Sequence, residues 1–165
     1  MPLRISKFYL AVLLAIPFLV FLFLPTFFSK TDKLDSGYEQ VNLIIDNRVK
    51  INALVAITPD QQSLGLGKRG KLASDTGMLF PFNPKSTPVF WMKDMNFPID
   101  IIWISDNKVV GIEKNVPNPP PAIRDYQLPR YSPPVPIDFA LEVNAGFADK
   151  NNITTNQSIV VVTGK

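Results

Sequence analysis

The stretch Tyr38–Ile57, YEQVNLIIDNRVKINALVAI, holds two runs rich in aliphatic and β-branched residues, split by Asp46-Asn47. Asp and Asn tolerate the left-handed backbone that a tight hairpin requires. The pattern predicts two strands joined by a short turn. The same device recurs in IIWISDNKVVGI, residues 101–112, where Asp106-Asn107 separates residues 99–104 from 108–113. Further strands are expected over 88–95, 138–144 and 157–163. Thr58-Pro59-Asp60 has the form of a helix start, an N-cap followed by proline at the first helical position, and Gly65 and Gly67 keep that helix short. No long amphipathic helix and no repeat is present. The expected fold is all-β, a sandwich or closed barrel with one short helix, over residues 38–165. That length is enough for a hydrophobic core.

Upstream the character changes. Residues 8–28, FYLAVLLAIPFLVFLFLPTFF, carry no charge over 21 residues. As a helix they would extend ~31 Å, the thickness of a hydrocarbon core. A cleavable signal peptide would share the basic start at Arg4 and Lys7, but no small-x-small pair closes the apolar run. The sequence therefore predicts a cytoplasmic tail (1–7), an uncleaved transmembrane signal anchor (8–28), a polar tether (29–37) and an extracytoplasmic domain on a single-pass protein. Basic residues flank both ends of the span, so orientation rests on the short N-terminal tail and the large remainder.

Residues 29–165 hold 15 of the 17 basic residues, all but Arg4 and Lys7, against all 14 acidic ones. That near balance gives no argument for nucleic acid. The one basic cluster, Lys68-Arg69-Gly70-Lys71, is read as a solvated loop. The domain is expected to be monomeric. Residues 116–136, VPNPPPAIRDYQLPRYSPPVP, hold eight of the sixteen prolines. Proline cannot donate to a sheet ladder, so this is an extended loop laid across the domain, fastened by Tyr126 and Tyr131.

The chemistry available is narrow. The chain has neither histidine nor cysteine. Ser-His-Asp and Cys-His arrangements and His or Cys zinc sites are excluded, and no glycine-rich phosphate loop occurs. No catalytic residue, metal or cofactor is assigned. What stands out is GMLFPFNPKSTPVFWMKDMNFPID, residues 77–100. With 89–95 as a strand, Phe90, Met92 and Asp94 share one face and Trp91, Lys93 and Met95 the other. In 99–104, Asp100 falls on the face of Ile102 and Ile104, and Glu142 falls between Leu141 and Val143. Neither is a place for a carboxylate without a partner. Either each takes backbone N–H bonds and ties the fold together, or Asp100 and Glu142 converge with Lys93 or Arg69 on a concave site walled by Phe90, Trp91, Met92 and Tyr131. A carboxylate pair of the kind glycosidases use, or a hard-cation site built from Asp and Glu, remains open on this reading.

Four segments in order, Gly65-Leu66…Arg69, Thr76-Gly77-Met78-Leu79-Phe80, Phe90-Trp91-Met92-Lys93…Pro98-Ile99-Asp100-Ile101-Ile102 and Ala140-Leu141-Glu142-Val143-Asn144-Ala145-Gly146, resemble the family called domain of unknown function 192. These are small, frequently exported prokaryotic proteins. The resemblance spans roughly residues 38–163. It implies a β-rich, sandwich-like fold and no established activity, and it maps the family's recurrent polar positions onto Arg69, Lys93, Asp100 and Glu142. The chain departs from the family pattern at Gly67, at Asp94-Met95 and at Asn156-Gln157. The leading expectation is a ligand- or partner-binding module. The alternatives are a carboxylate-dependent hydrolase or carbohydrate-active enzyme, and a purely structural envelope protein.

Overall fold

The computed structural model of the protein describes residues 37–162. The expected anchor over 8–28, with the tail before it and the tether up to residue 36, lies outside the described residues. Among the described residues, no helix is long and apolar enough to cross a membrane.

Both Asp-Asn pairs form the predicted turns. Asp46, Asn47, Asp106 and Asn107 all have φ between 52° and 58°, the left-handed pair that matches the twist of a hairpin. They join β1 (Glu39–Ile45) to β2 (Val49–Val55) and β4 (Ile99–Ser105) to β5 (Lys108–Val116). Between the hairpins lies α1 (Pro59–Leu64). Thr58 caps it reciprocally with Gln61: the Thr58 hydroxyl accepts from the Gln61 N–H, and the Gln61 side chain accepts from the Thr58 N–H. Gly65, at φ 51°, ends the helix. This crossover lets β2 pair in parallel with β3 (Thr76–Ser86). β6 (Ile137–Asn144), the short turn α2 (Phe147–Lys150) and β7 (Ile159–Val162) complete the chain.

The strands form one seven-stranded sheet in the order β5-β4-β6-β3-β2-β1-β7. All neighbours are antiparallel except β2 and β3. The fold is all-β as expected, but in place of a two-sheet sandwich or a closed barrel it is a single sheet curled into a half-barrel. Its two edges meet at one end, where Val109 exchanges main-chain bonds with Gln157 and Asn156, and Ile159 donates to Asn107.

Curling gives the sheet two apolar faces. The inner face packs Leu43, Ile45, Ile51, Leu79, Ile102, Leu141 and Val143, with Phe147 and Ala148 of α2 against them. The outer face packs Met78, Phe80, Ile99, Ile101, Trp103 and Ala140 beneath loop residues Leu66, Met92 and Met95. β4 is consequently buried on both faces along its whole length. β3 and β6 approach closely: a Cβ added at Gly77 would lie 2.8 Å from the Glu142 carbonyl oxygen. Gly77→Ala is expected to cost about 2 kcal/mol, because backbone cannot give way as a side chain does; urea unfolding checks this.

Two element readings change. β3 was not anticipated as a strand. The strand expected over 88–95 is a loop with one bridge, in which Phe90 and Tyr131 exchange two main-chain bonds. Asp94 at φ 58° and a turn from Met95 N–H to the Met92 carbonyl break the extended path, so Met92 and Met95 are both buried rather than facing opposite ways. The proline-rich segment does cross the outer face. Tyr131 packs there, whereas Tyr126 is 72% exposed and fastens nothing by burial.

Candidate functional site

The register of β4 on β6 pairs Asp100 with Val143 and Ile101 with Glu142. Residues opposite one another share a face and successive residues alternate. Asp100 and Glu142 thus occupy adjacent strands but opposite faces of the sheet, and the expected convergence of the two carboxylates does not occur.

Asp100 points inward and is fully buried. It accepts three backbone bonds: from Asn115 at 2.8 Å, Gly146 at 3.1 Å and Ala148 at 2.9 Å. Two of these donors begin and build the α2 turn. The third, Asn115, has a left-handed φ of 52° beside an irregularity in the β4–β5 register, where a ladder bond is missing. Asp100 therefore ties β4, the bulged end of β5 and α2 together.

Glu142 points outward, below the loops. It is 5% exposed, and its Oε2 has no hydrogen-bond partner among the described residues. Burial pushes its pKa up to about 8, against the opposing pull of the Leu66 N–H and the Arg69 charge. Arg69 comes from the loop after α1. It is 2% exposed, with its guanidinium 5.5 Å from the Tyr38 ring centroid, so it is a buried residue within the otherwise exposed Lys68–Lys71 cluster. Arg69 is close enough for its charge to act on Glu142.

Lys93 has a different ion-pair partner. It forms an ion pair with Asp125 of the proline-rich segment, which raises its pKa through that hydrogen bond and charge, and its ammonium lies 5.4 Å from the Trp91 ring. Arg130, from the same segment, sits 4.2 Å over Trp91. These contacts and the Phe90–Tyr131 bridge fasten the proline-rich segment to the loop 88–97.

Glu142 and Lys93 both line a cleft of about 320 Å³, between α1 and the loop 88–95. Leu64, Phe80, Phe82, Val89, Phe90 and Trp91 make its apolar walls. Phe90 holds the aromatic set edge-to-face, with ring centroids 5.1 Å from Phe80, 6.4 Å from Phe82 and 5.3 Å from Trp103. At the cleft, Val89 is 62% and Trp91 37% exposed. Of the expected wall, Phe90 and Trp91 line the cleft. Met92 is buried in the outer core, and Tyr131 packs against that core without lining the cleft. Phe80 and Phe82 were missed as wall residues, although Met78, Phe80 and Phe82 recur with the period of two that marks one face of a strand.

A wider groove of about 760 Å³ runs along the β1–β2 turn, Asn144–Phe147 and Lys150-Asn151. Its Arg48 is occupied with Asp46 and with the carbonyls of Asn151 and Asn152. The aromatic cleft is the stronger candidate, because one of its lining residues, Glu142, holds a buried oxygen without a hydrogen-bond partner.

The family model of uncharacterized proteins called DUF192 matches residues 41–161. Among solved structures, the chain is similar to a protein of unknown function from Novosphingobium aromaticivorans. The identity is 27% and the TM-score 0.68, covering 76% of this chain and 87% of that one. It is also similar to a protein from Sinorhizobium meliloti described as a putative transcription regulator. There the identity is 24% and the TM-score 0.67, covering 75% of this chain and 95% of that one. The second likeness speaks to the fold alone. No curated protein matches the chain.

Proposed function

The chain belongs to the DUF192 family, and from that footing we propose that it is a membrane-tethered, extracytoplasmic binding module whose aromatic cleft holds a small ligand. The observation that carries this reading is the buried, unpartnered Oε2 of Glu142, a residue that lines an aromatic-walled cleft. A buried polar atom left without a hydrogen bond costs a domain about 1–3 kcal/mol. A ligand that supplies the missing partner recovers that cost. The cleft volume also falls within the range of small-molecule sites.

The tether supports the same reading. The Gln61 side chain donates to the Gly37 carbonyl at 3.1 Å, so the chain enters the domain beside α1, whose last residues line the cleft. Residues 29–37 reach at most roughly 30 Å. A segment of that reach suits a tether to the proposed anchor over residues 8–28, carrying a monomeric domain. A two-carboxylate hydrolase finds less support, because Asp100 and Glu142 lie on opposite faces and Asp100 is already saturated by backbone donors.

A thermal-shift series of the protein with sugars, short peptides and apolar amides tests the proposal. A true ligand at a hundredfold excess over Kd stabilises by about 2.7 kcal/mol, a rise of several degrees. Trp91→Ala also loses its Arg130 and Lys93 contacts, so the ligand-induced rise is read against that variant's own unliganded midpoint and should be smaller than the parent's. A flat series across all three ligand classes would leave the structural envelope role in its place.

A further inference from the structure

Resting on the binding reading above, we infer that the cleft takes an uncharged molecule with an aromatic or aliphatic body and a carbonyl oxygen that accepts a hydrogen bond from the Glu142 carboxyl. Three sets of contacts lead to this. First, the polar side chains lining the cleft are Gln62, Ser63, Lys93 and Glu142, and Ser63 stands at its exposed rim. The Gln62 amide donates to the Pro81 carbonyl and Lys93 is paired with Asp125, while Glu142 Oε2 is buried and has no hydrogen-bond partner. Second, the walls are aromatic and aliphatic, so a ligand body gains by burying apolar surface and by edge-to-face ring contacts. Third, the neighbouring charge disfavours ions. An ammonium group reaching Glu142 would approach the Arg69 charge that Glu142 already senses. A carboxylate would need a cation of its own, yet Lys93 is held by Asp125 and Arg69 lies against Tyr38. A neutral carbonyl needs one donor and leaves no buried charge.

The carboxyl must carry its proton to donate. Burial raises its pKa to about 8, so the proton is in place at neutral pH. The charged groups facing it are Arg69 from the loop after α1 and Lys93 from the loop 88–98; β3 contributes Phe80 and Phe82 to the cleft. Arginine and lysine side chains hold their charge between pH 6 and 9, so a change over that range reports on Glu142.

Ligand-observed NMR on the full chain in detergent tests this with three water-soluble probes: N-benzylacetamide, benzylammonium and phenylacetate. The amide is expected to bind saturably at pH 6.5 and about tenfold more weakly at pH 9. Glu142→Gln, whose amide N–H still donates, should keep the binding and lose the pH dependence. Glu142→Leu should bind at least tenfold more weakly at pH 6.5, with its urea midpoint confirming a folded protein. If benzylammonium or phenylacetate binds and the amide does not, the ligand class is wrong while the binding module stands. If the amide binds the Leu variant as well as the parent, or binds without pH dependence, Glu142 is not its donor and the inference fails. If no probe binds saturably, both the inference and the binding reading fail.

Discussion

Asp100→Ala is expected to destabilise the fold by about 4 kcal/mol. The carboxylate accepts three backbone N–H bonds, and the donors sit on β5 and at the start of α2. Hydrogen bonds to a charged group contribute about 1.5–3 kcal/mol each, and donors left behind in a buried place add their own desolvation cost. The Ala148 N–H is fully enclosed, so water cannot replace the lost partner. The Asn115 N–H is more accessible, which keeps the expected loss below three full bonds. Asp100→Asn should cost roughly half as much, because one amide oxygen still accepts while its NH₂ faces donors. Asp106→Asn is the control: Asn adopts the same left-handed turn, and the exposed Lys85 pair it loses contributes little. Urea midpoints of the three variants decide the matter. An Asp100→Ala midpoint equal to that of the control would show that the inward carboxylate is no brace.

The parts of the fold that could be read from the sequence are those fixed by neighbours in the chain. Asp46-Asn47 and Asp106-Asn107 forecast their turns because the left-handed requirement is local, and the Thr58-Pro59 start forecast α1 for the same reason. β3 stayed hidden because Pro81 and Pro84 interrupt it, although Met78, Phe80 and Phe82 alternate correctly through the first proline. The loop around Trp91 looked like a strand because it is aromatic and β-branched, and nothing in its composition betrays the left-handed Asp94.

Alternation along each strand correctly marked Asp100 and Glu142 as carboxylates among apolar neighbours. It could not say whether they face each other. Facing depends on inter-strand register, and a shift of one residue reverses the answer. Here Ile101, not Asp100, stands opposite Glu142. Lys93 does line the same cleft as Glu142, but its ion-pair partner Asp125 could not be foreseen: it lies 32 residues away in the proline-rich segment, where no periodicity constrains the path.

Glu142→Gln is expected to act in the opposite sense to the Asp100 variants and to raise stability at neutral and alkaline pH. The folded pKa of Glu142, about 8, lies above its ordinary value of 4.5, chiefly because burial disfavours the charged form. Below pH 4.5 both folded and unfolded chains hold the proton, and the contribution is constant. Between pH 4.5 and 8 the folded chain keeps a proton that the unfolded chain releases, so stability falls as pH rises. The slope is about 1.4 kcal/mol per pH unit, or about 3 kcal/mol lost between pH 5 and 7 if this group acts alone. The Gln variant has no such proton, so its urea midpoint should stay level where the parent's declines, matching near pH 4.5 and exceeding it at pH 8.5. Parallel pH profiles would mean that Glu142 is ionised in the folded protein with a partner that satisfies it, and the lining of the cleft would then hold a closed network. The opposite signs expected at the two positions separate a brace from a site. Replacing Asp100 removes support from the fold, whereas replacing Glu142 removes the cost of a buried carboxyl, the outcome that the proposed binding role calls for.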